Sequence, residues 1–216
     1  MKTLELFSGE NQSFSKCAER LGYETVTLDW RCEATIQEDI RDWDYRTFPA
    51  DTFAFVWASP PCEQISQLRN KTGDTSGADD IARATMETCD YFRAGGARGY
   101  VENPISALPR RPLMAPYRDP LKRVTYCSYS SPGDEFHYRK PTAIYDWSGS
   151  AWQPRPLCQR DCQGCPHGKH IVWARHGHGA VRRAECDAAG LKSNFTTAEL
   201  HRVPQELCRE ILTAGG

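Results

Sequence analysis

A doubly wound, mostly parallel α/β sheet with a small irregular Cys/His-rich segment is the architecture the sequence predicts. Three observations carry it. Short apolar runs alternate with helical patterns along the first hundred residues at the intervals of such sheets. One run, FAFVWA at 53–58, is apolar throughout, as expected for a central strand covered on both faces. Polar clusters directly follow the predicted strands, and in open parallel sheets ligands sit beyond the carboxyl ends of the strands.

Taken in order, residues 3–7, TLELF, read as a buried strand ending at Ser8-Gly9. Phe14, Cys17, Ala18 and Leu21 recur at helical spacing, with Gly22 as the stop. Residues 24–29, ETVTLD, form the second strand, and a further short one is expected before Asp39. After the central strand a polar stretch runs from Glu63 to Asp80, residues 81–94 are helical, and Tyr100-Val101 is a strand entering Glu102-Asn103-Pro104. Past residue 105 the pattern weakens. RVTYC at 123–127 and TAIYDW at 142–147 read as strands separated by a turn at Ser131-Pro132-Gly133, and 197–212 as a closing helix with Pro204 near its start. The expected division is a core at 1–150, a basic Cys/His-rich segment at 151–183, and a C-terminal segment at 184–216 packing back on the core.

Composition bounds the class. The chain has 216 residues, 39% hydrophobic and 25% charged, which is ordinary for a globular domain. No apolar run approaches the roughly 20 residues of a membrane span. The opening MKTLELFSGE has no secretory stretch, so a cytoplasmic protein without membrane association is expected. The net charge of −1 hides an asymmetry: residues 1–105 carry 11 Lys and Arg against 18 Asp and Glu. Between 151 and 183 the count is six basic to one acidic, with four histidines, which suits a polyanion partner as well as a solvated surface. Of ten cysteines, Cys17, Cys32, Cys89, Cys186 and Cys208 fall in apolar or helical patterns and read as small buried thiols. Cys62 and the Cys158, Cys162, Cys165 group lie in Pro-rich and polar contexts that suit chemistry.

The clusters have distinct capacities. Phe7-Ser8-Gly9 lets backbone approach a ligand at the first strand-to-helix turn. Asp29 can accept from a ribose diol, Trp30 offers a flat face for a purine, and Asp39-Ile40 adds an acceptor and an apolar wall. No glycine-rich pyrophosphate fingerprint accompanies them, which favours S-adenosyl-L-methionine over NAD or ATP. Ser59-Pro60-Pro61-Cys62 fixes the backbone after the central strand and presents Cys62 at the sheet edge, as a nucleophile or as a structural thiol. Glu102, after the next strand, can stay protonated in a partly dry pocket and act as a general acid. A thiolate adding to carbon 6 of a pyrimidine, with an acid at ring nitrogen 3, makes carbon 5 nucleophilic.

In this order the residues resemble the DNA cytosine-5 methyltransferase family, especially its short phage-like members. Leu4-Glu5-Leu6-Phe7-Ser8-Gly9 resembles the first cofactor motif, Asp29-Trp30 the acidic-aromatic step, and Asp39-Ile40 the third motif. Pro60-Pro61-Cys62, with Ser66 beyond, resembles the Pro-Cys nucleophile motif, and Glu102-Asn103 the Glu-Asn motif. The resemblance implies a methyltransferase fold, an S-adenosyl-L-methionine site at the first three clusters together with Ser59 and Pro60, and DNA as partner. It also implies Cys62 as nucleophile and Glu102 as the group that engages the base edge. Tyr138-Arg139-Lys140 resembles the basic motif that contacts base and backbone, with Arg139 the first choice, and RVPQELCREIL at 202–212 resembles the final helix. Glu63 and Pro104 depart from the family's usual Gln and Val.

The run C-x3-C-x2-C-x-H-x2-H from Cys158 to His170 puts five zinc-type ligands in thirteen positions. Cys158, Cys162, Cys165 and His167 form the expected structural zinc set, with His170 or Cys127 able to replace one. Arg155, Arg160, Lys169, Arg175, Arg182 and Arg183 surround it and suit phosphate contacts, while His176 and His178 read as surface or groove residues. Two rivals stay open: an amino-methyltransferase of the same fold, and a zinc-stabilised DNA-binding module without catalysis.

Overall fold

The computed structural model describes residues 1–62, 76–105, 108–117, 119, 121–130, 137–146, 148–174 and 180–214. Six strands form one sheet: β1 (Lys2–Leu6), β2 (Glu24–Leu28), β3 (Phe53–Ala58), β4 (Arg98–Pro104), β5 (Leu121–Thr125) and β6 (Pro141–Asp146). Their order is β2-β1-β3-β4-β6-β5. The first four are parallel, and β6 runs antiparallel to both β4 and β5. The helices are α1 (Ser13–Arg20), α2 (Ser76–Ala94), α3 (Ala180–Ala188), α4 (Thr197–His201) and α5 (Gln205–Thr213). This is the mostly parallel α/β class the sequence predicts.

The period of two in a strand explains both faces of the sheet. In β3, Phe55 and Trp57 enter one buried cluster with Phe14, Cys17 and Ala18 of α1 and Leu207 and Ile211 of α5. Val56 and Ala58 enter the other, with Met86, Cys89 and Phe92 of α2. Apolar residues on both sides of one strand are why FAFVWA shows no alternation. Trp152, Ile171 and Val172 of the Cys/His-rich segment join the first cluster. Cys17, Cys89, Cys186 and Cys208 are buried, whereas Cys32 is only half-buried.

Four boundaries differ from expectation. No strand precedes Asp39 among the described residues: Ile36 makes a single bridge to Leu28. The helix expected from 81 starts at Ser76. The strand expected through Cys127 stops at Thr125, where the chain enters a 3-10 turn over Tyr126–Tyr129. The closing helix is two helices. Thr196 starts α4 with a reciprocal capping box to Glu199, and Val203-Pro204 forces extended backbone before α5. The turn expected around Ser131 lies outside the described residues. No described helix is long and apolar enough to cross a membrane.

Candidate active site

Strand register assembles the site. Leu6 pairs with Leu28 and with Ala58, and Ala58 pairs with Val101, so these four form one row. The next residue of each strand is Phe7, Asp29, Ser59 and Glu102. All four line a single cavity of about 460 Å³, within the usual range for small-ligand sites.

On the first side, Phe7 adopts left-handed backbone (φ 60), a costly conformation for an aromatic residue. It is held there by hydrogen bonds from Phe7 N and Ser8 N to the Leu28 carbonyl, at 2.7 and 3.2 Å. Asp29 knits the two loops: Oδ2 accepts from Gly9 N at 2.9 Å, and Oδ1 from Arg31 N and Cys32 N at 2.8 and 2.9 Å. Of about four acceptor positions on a carboxylate, one is left for a ligand. Trp30 is half-exposed on the cavity wall, with the Arg31 guanidinium 4.5 Å above its ring. Ser8 Oγ is buried without a hydrogen-bond partner among the described residues, and the space beside Gly9 is open. An orphaned hydroxyl, a spare carboxylate lone pair, an aromatic platform and open backbone fit a nucleoside-type cofactor.

Beneath this wall lies Glu5, a buried charged residue between Leu4 and Leu6 of β1. Its carboxylate accepts from Phe14 N and Ser15 N at the start of α1, at 3.1 and 2.8 Å. Burial nevertheless raises its pKa to about 6.

On the other side, Ser59 N donates to Leu6 O, and Trp57 Nε1 donates to Ser59 Oγ. Asn103 Nδ2 donates to Pro60 O at 3.1 Å, binding the Pro-Pro-Cys loop to β4. Half-buried Cys62 and Glu102, only 5% exposed, line the same cavity. Tyr126 Oη donates to Glu102 Oε1 at 2.8 Å, and Lys140 Nζ lies 3.7 Å from that oxygen. Both arrive because antiparallel β6 begins where β4 and β5 end: Thr125 pairs with Pro141, and Tyr126 N donates to Lys140 O.

Three expected site residues lie elsewhere. Asp39 does not line the cavity. It forms a two-pronged pair with Arg41, whose hydrogen bonds hold its carboxyl below the usual range. Ile40 is buried in the α2-side core. With no strand before them, nothing carries this pair to the sheet edge. Arg139 stacks over Trp173 at 5.1 Å, and the cation on the Glu102 side of the cavity wall is its neighbour Lys140. Along an extended segment adjacent side chains point to opposite sides. Glu63, Ser66, Arg175, His176 and His178 lie outside the described residues, while Pro104 lines the cavity.

The expected metal set also changes. Cys127, Cys158, Cys162 and His170 have their ligand atoms within 4.8 Å of one another. The three Sγ atoms lie 3.3, 3.3 and 3.4 Å from His170 Nε2. Tetrahedral zinc, with its usual bond lengths, separates S and N ligands by about 3.5 Å. Cys165 adjoins this group without belonging to it, its Sγ 3.7 Å from Cys162 Sγ, and His167 is exposed. Gly164 explains the close packing: a Cβ there would strike His137 O and come within 3.2 Å of the His170 ring. The Cys127–Cys162 hydrogen bond pulls the Cys162 thiol well below its ordinary range and pushes Cys127 up, and a thiolate in this ligand group suits a cation. Arg155 is committed internally, bonding Glu210 Oε1 at 2.7 Å and Ser128 O at 2.9 Å. Arg182 pairs with Glu185, whereas Arg160 and Lys169 are exposed.

No family model matches the chain. It is 29% identical over 229 residues to the "Probable DNA (cytosine-5)-methyltransferase" of Frog virus 3 (isolate Goorha), covering 98% of this chain and 99% of that protein. Among solved structures it is similar to the S. pombe Dnmt2 methyltransferase (TM-score 0.42, 11% identity, 71% of this chain and 51% of that one). It is likewise similar to the Entamoeba histolytica methyltransferase EhMeth (TM-score 0.46, 12% identity, 73% and 56%). The chain thus spans little more than half the length of either solved structure. In sequence, along nearly its whole length, the chain is similar to that frog-virus protein.

Proposed function

We propose that the chain is an S-adenosyl-L-methionine-dependent DNA (cytosine-5-)-methyltransferase working through a covalent Cys62 adduct. The observation that carries this reading is that Cys62 and Glu102, from neighbouring strand ends, line one cavity with the Phe7, Asp29 and Trp30 wall. Phe7, Ser8, Gly9, Asp29 and Trp30 would hold the cofactor, with Ser59 and Pro60 closing its reacting end. When bound, the cofactor supplies a sulfonium-activated methyl group for carbon 5 of cytosine.

The chain's own residues do the rest. Cys62 thiolate bonds to carbon 6 while Glu102 gives a proton to ring nitrogen 3, leaving a nucleophilic enamine. After carbon 5 is methylated, a base removes its proton, the C6–S bond breaks to release Cys62, and nitrogen 3 returns its proton to Glu102. Lys140, rather than Arg139, supplies the cation beside this carboxyl. The base must leave the duplex, since carbon 6 is inaccessible to a thiol in the stack. Residues 151–183 would hold flanking DNA, with exposed Arg160 and Lys169 available to phosphates. We further propose that Cys127, Cys158, Cys162 and His170 hold one structural zinc ion. A closed four-ligand set leaves no position for substrate chemistry on the metal.

The test uses tritiated cofactor on DNA of mixed sequence, followed by nucleoside digestion. Label in 5-methylcytosine from wild type, and none from Cys62→Ala with cofactor binding retained, supports the reading. Full activity in Cys62→Ala, or label on an exocyclic amine, overturns it.

A further inference from the structure

Glu102 receives both its polar contacts on one oxygen. Tyr126 Oη and Lys140 Nζ address Oε1, and no described residue reaches Oε2. A carboxyl held by one oxygen presents the other in a fixed direction. The hold on Oε1 is therefore what aims the acid at a substrate nitrogen.

Tyr126 does not stand alone. It opens the 3-10 turn that follows β5, and the next residue, Cys127, points its thiol at His170 Nε2 from 3.3 Å. With about three residues per turn, neighbouring side chains on a 3-10 turn diverge by roughly 120°, so one backbone step serves two sites. The Cys/His segment grips the same turn again: Cys158 N donates to Thr125 Oγ1 at 3.1 Å. It also grips the other strand, since Arg139 N donates to Val172 O at 3.1 Å, two residues beyond His170. That second grip fixes the segment carrying Lys140, whose Nζ lies 4.7 Å over the Tyr126 ring.

We propose that Tyr126 is the positioning residue of the catalytic carboxyl, and that metal binding at Cys127, Cys158, Cys162 and His170 holds Tyr126 in place. The metal centre thereby acts on catalysis without touching substrate. Losing the metal would release the turn from one side and let Glu102 swing away from its aimed orientation. This rests on the methyltransferase reading above, and it assigns the Cys/His cluster a task within the core beyond any contact with DNA.

The experiment compares metal-loaded wild type, metal-loaded Tyr126→Phe, and both proteins after chelation. Metal content and the visible bands of the Co(II)-substituted protein report the centre, calorimetry reports cofactor affinity, and kcat and KM for DNA report catalysis. Tyr126→Phe keeps its ring and should keep one metal per chain, wild-type cofactor affinity and KM. Its kcat should fall about threefold to tenfold, the size of a lost hydrogen bond to a neutral carboxyl. Chelated wild type should show a matching fall in kcat, and chelated Tyr126→Phe no further one. If chelation unfolds the chain, the metal-loaded variant decides by the same kcat and KM split. A protein that purifies without metal and shows no tetrahedral Co(II) bands overturns the proposal. So does an unchanged kcat in Tyr126→Phe, an unchanged kcat after chelation, or losses that add. Wild type without methyl transfer would instead overturn the underlying enzymatic reading, so the two failures are distinct.

Discussion

Asn103 Nδ2 donates to the carbonyl of Pro60 at 3.1 Å, across the ends of two neighbouring parallel strands. This bond joins the strand that carries Glu102 to the loop that carries Cys62, and Asn103 is 1% exposed. The two side chains proposed to meet one pyrimidine ring are thus held to each other by the residue that follows Glu102.

Asn103→Ala should therefore separate acid from nucleophile. It leaves the Pro60 carbonyl without this donor, at a cost of about 1–3 kcal/mol of stability. Urea unfolding measures that loss, and kcat should fall on the order of tenfold with cofactor affinity unchanged. Wild-type kcat in a destabilised variant would show that the bond serves folding alone.

The two neighbouring cations should behave differently. Lys140→Met keeps the buried stem but removes the charge beside Glu102, and kcat should drop about a hundredfold. Arg139→Ala loses a stack on Trp173 and should leave kcat within about threefold, with its effect on DNA affinity read by salt-dependent binding.

Glu5 should leave a mark on stability against pH. Burial raises its pKa from 4.5 to about 6, so the unfolded chain gives up this proton first as pH rises. The favourable contribution is complete below pH 4.5, erodes between 4.5 and 6, and is gone above; the difference approaches ~2 kcal/mol. In Glu5→Gln the unfolding free energy should vary less over that window, whatever its absolute value. Equal slopes in the two proteins would contradict the assignment.

Metal content separates the two candidate ligand sets. His170→Ala should lose the ion and lower the melting temperature by on the order of 10 °C, as should chelation of wild type. His167→Ala should retain both metal and melting point. Elemental analysis with a thermal melt checks each.

Much of this protein is legible in the sequence because parallel strands translate local order into position. Phe7, Asp29 and Ser59 each follow a strand, Glu102 lies in the C-terminal half of β4, and the register of those strands alone puts the four on one edge. Asp39-Ile40 shows the limit: a motif likeness without a strand beneath it does not bring a residue to that edge. Tertiary structure decided what the antiparallel pair contributes. Lys140 in place of Arg139 follows from which way one extended residue faces. Tyr126 meets Glu102, and Cys127 meets His170 across 43 residues of chain, only because β6 turns back between β4 and β5. Spacing along a chain reports local periodicity, whereas contacts between distant segments depend on how strands pair, and pairing is a property of the folded sheet.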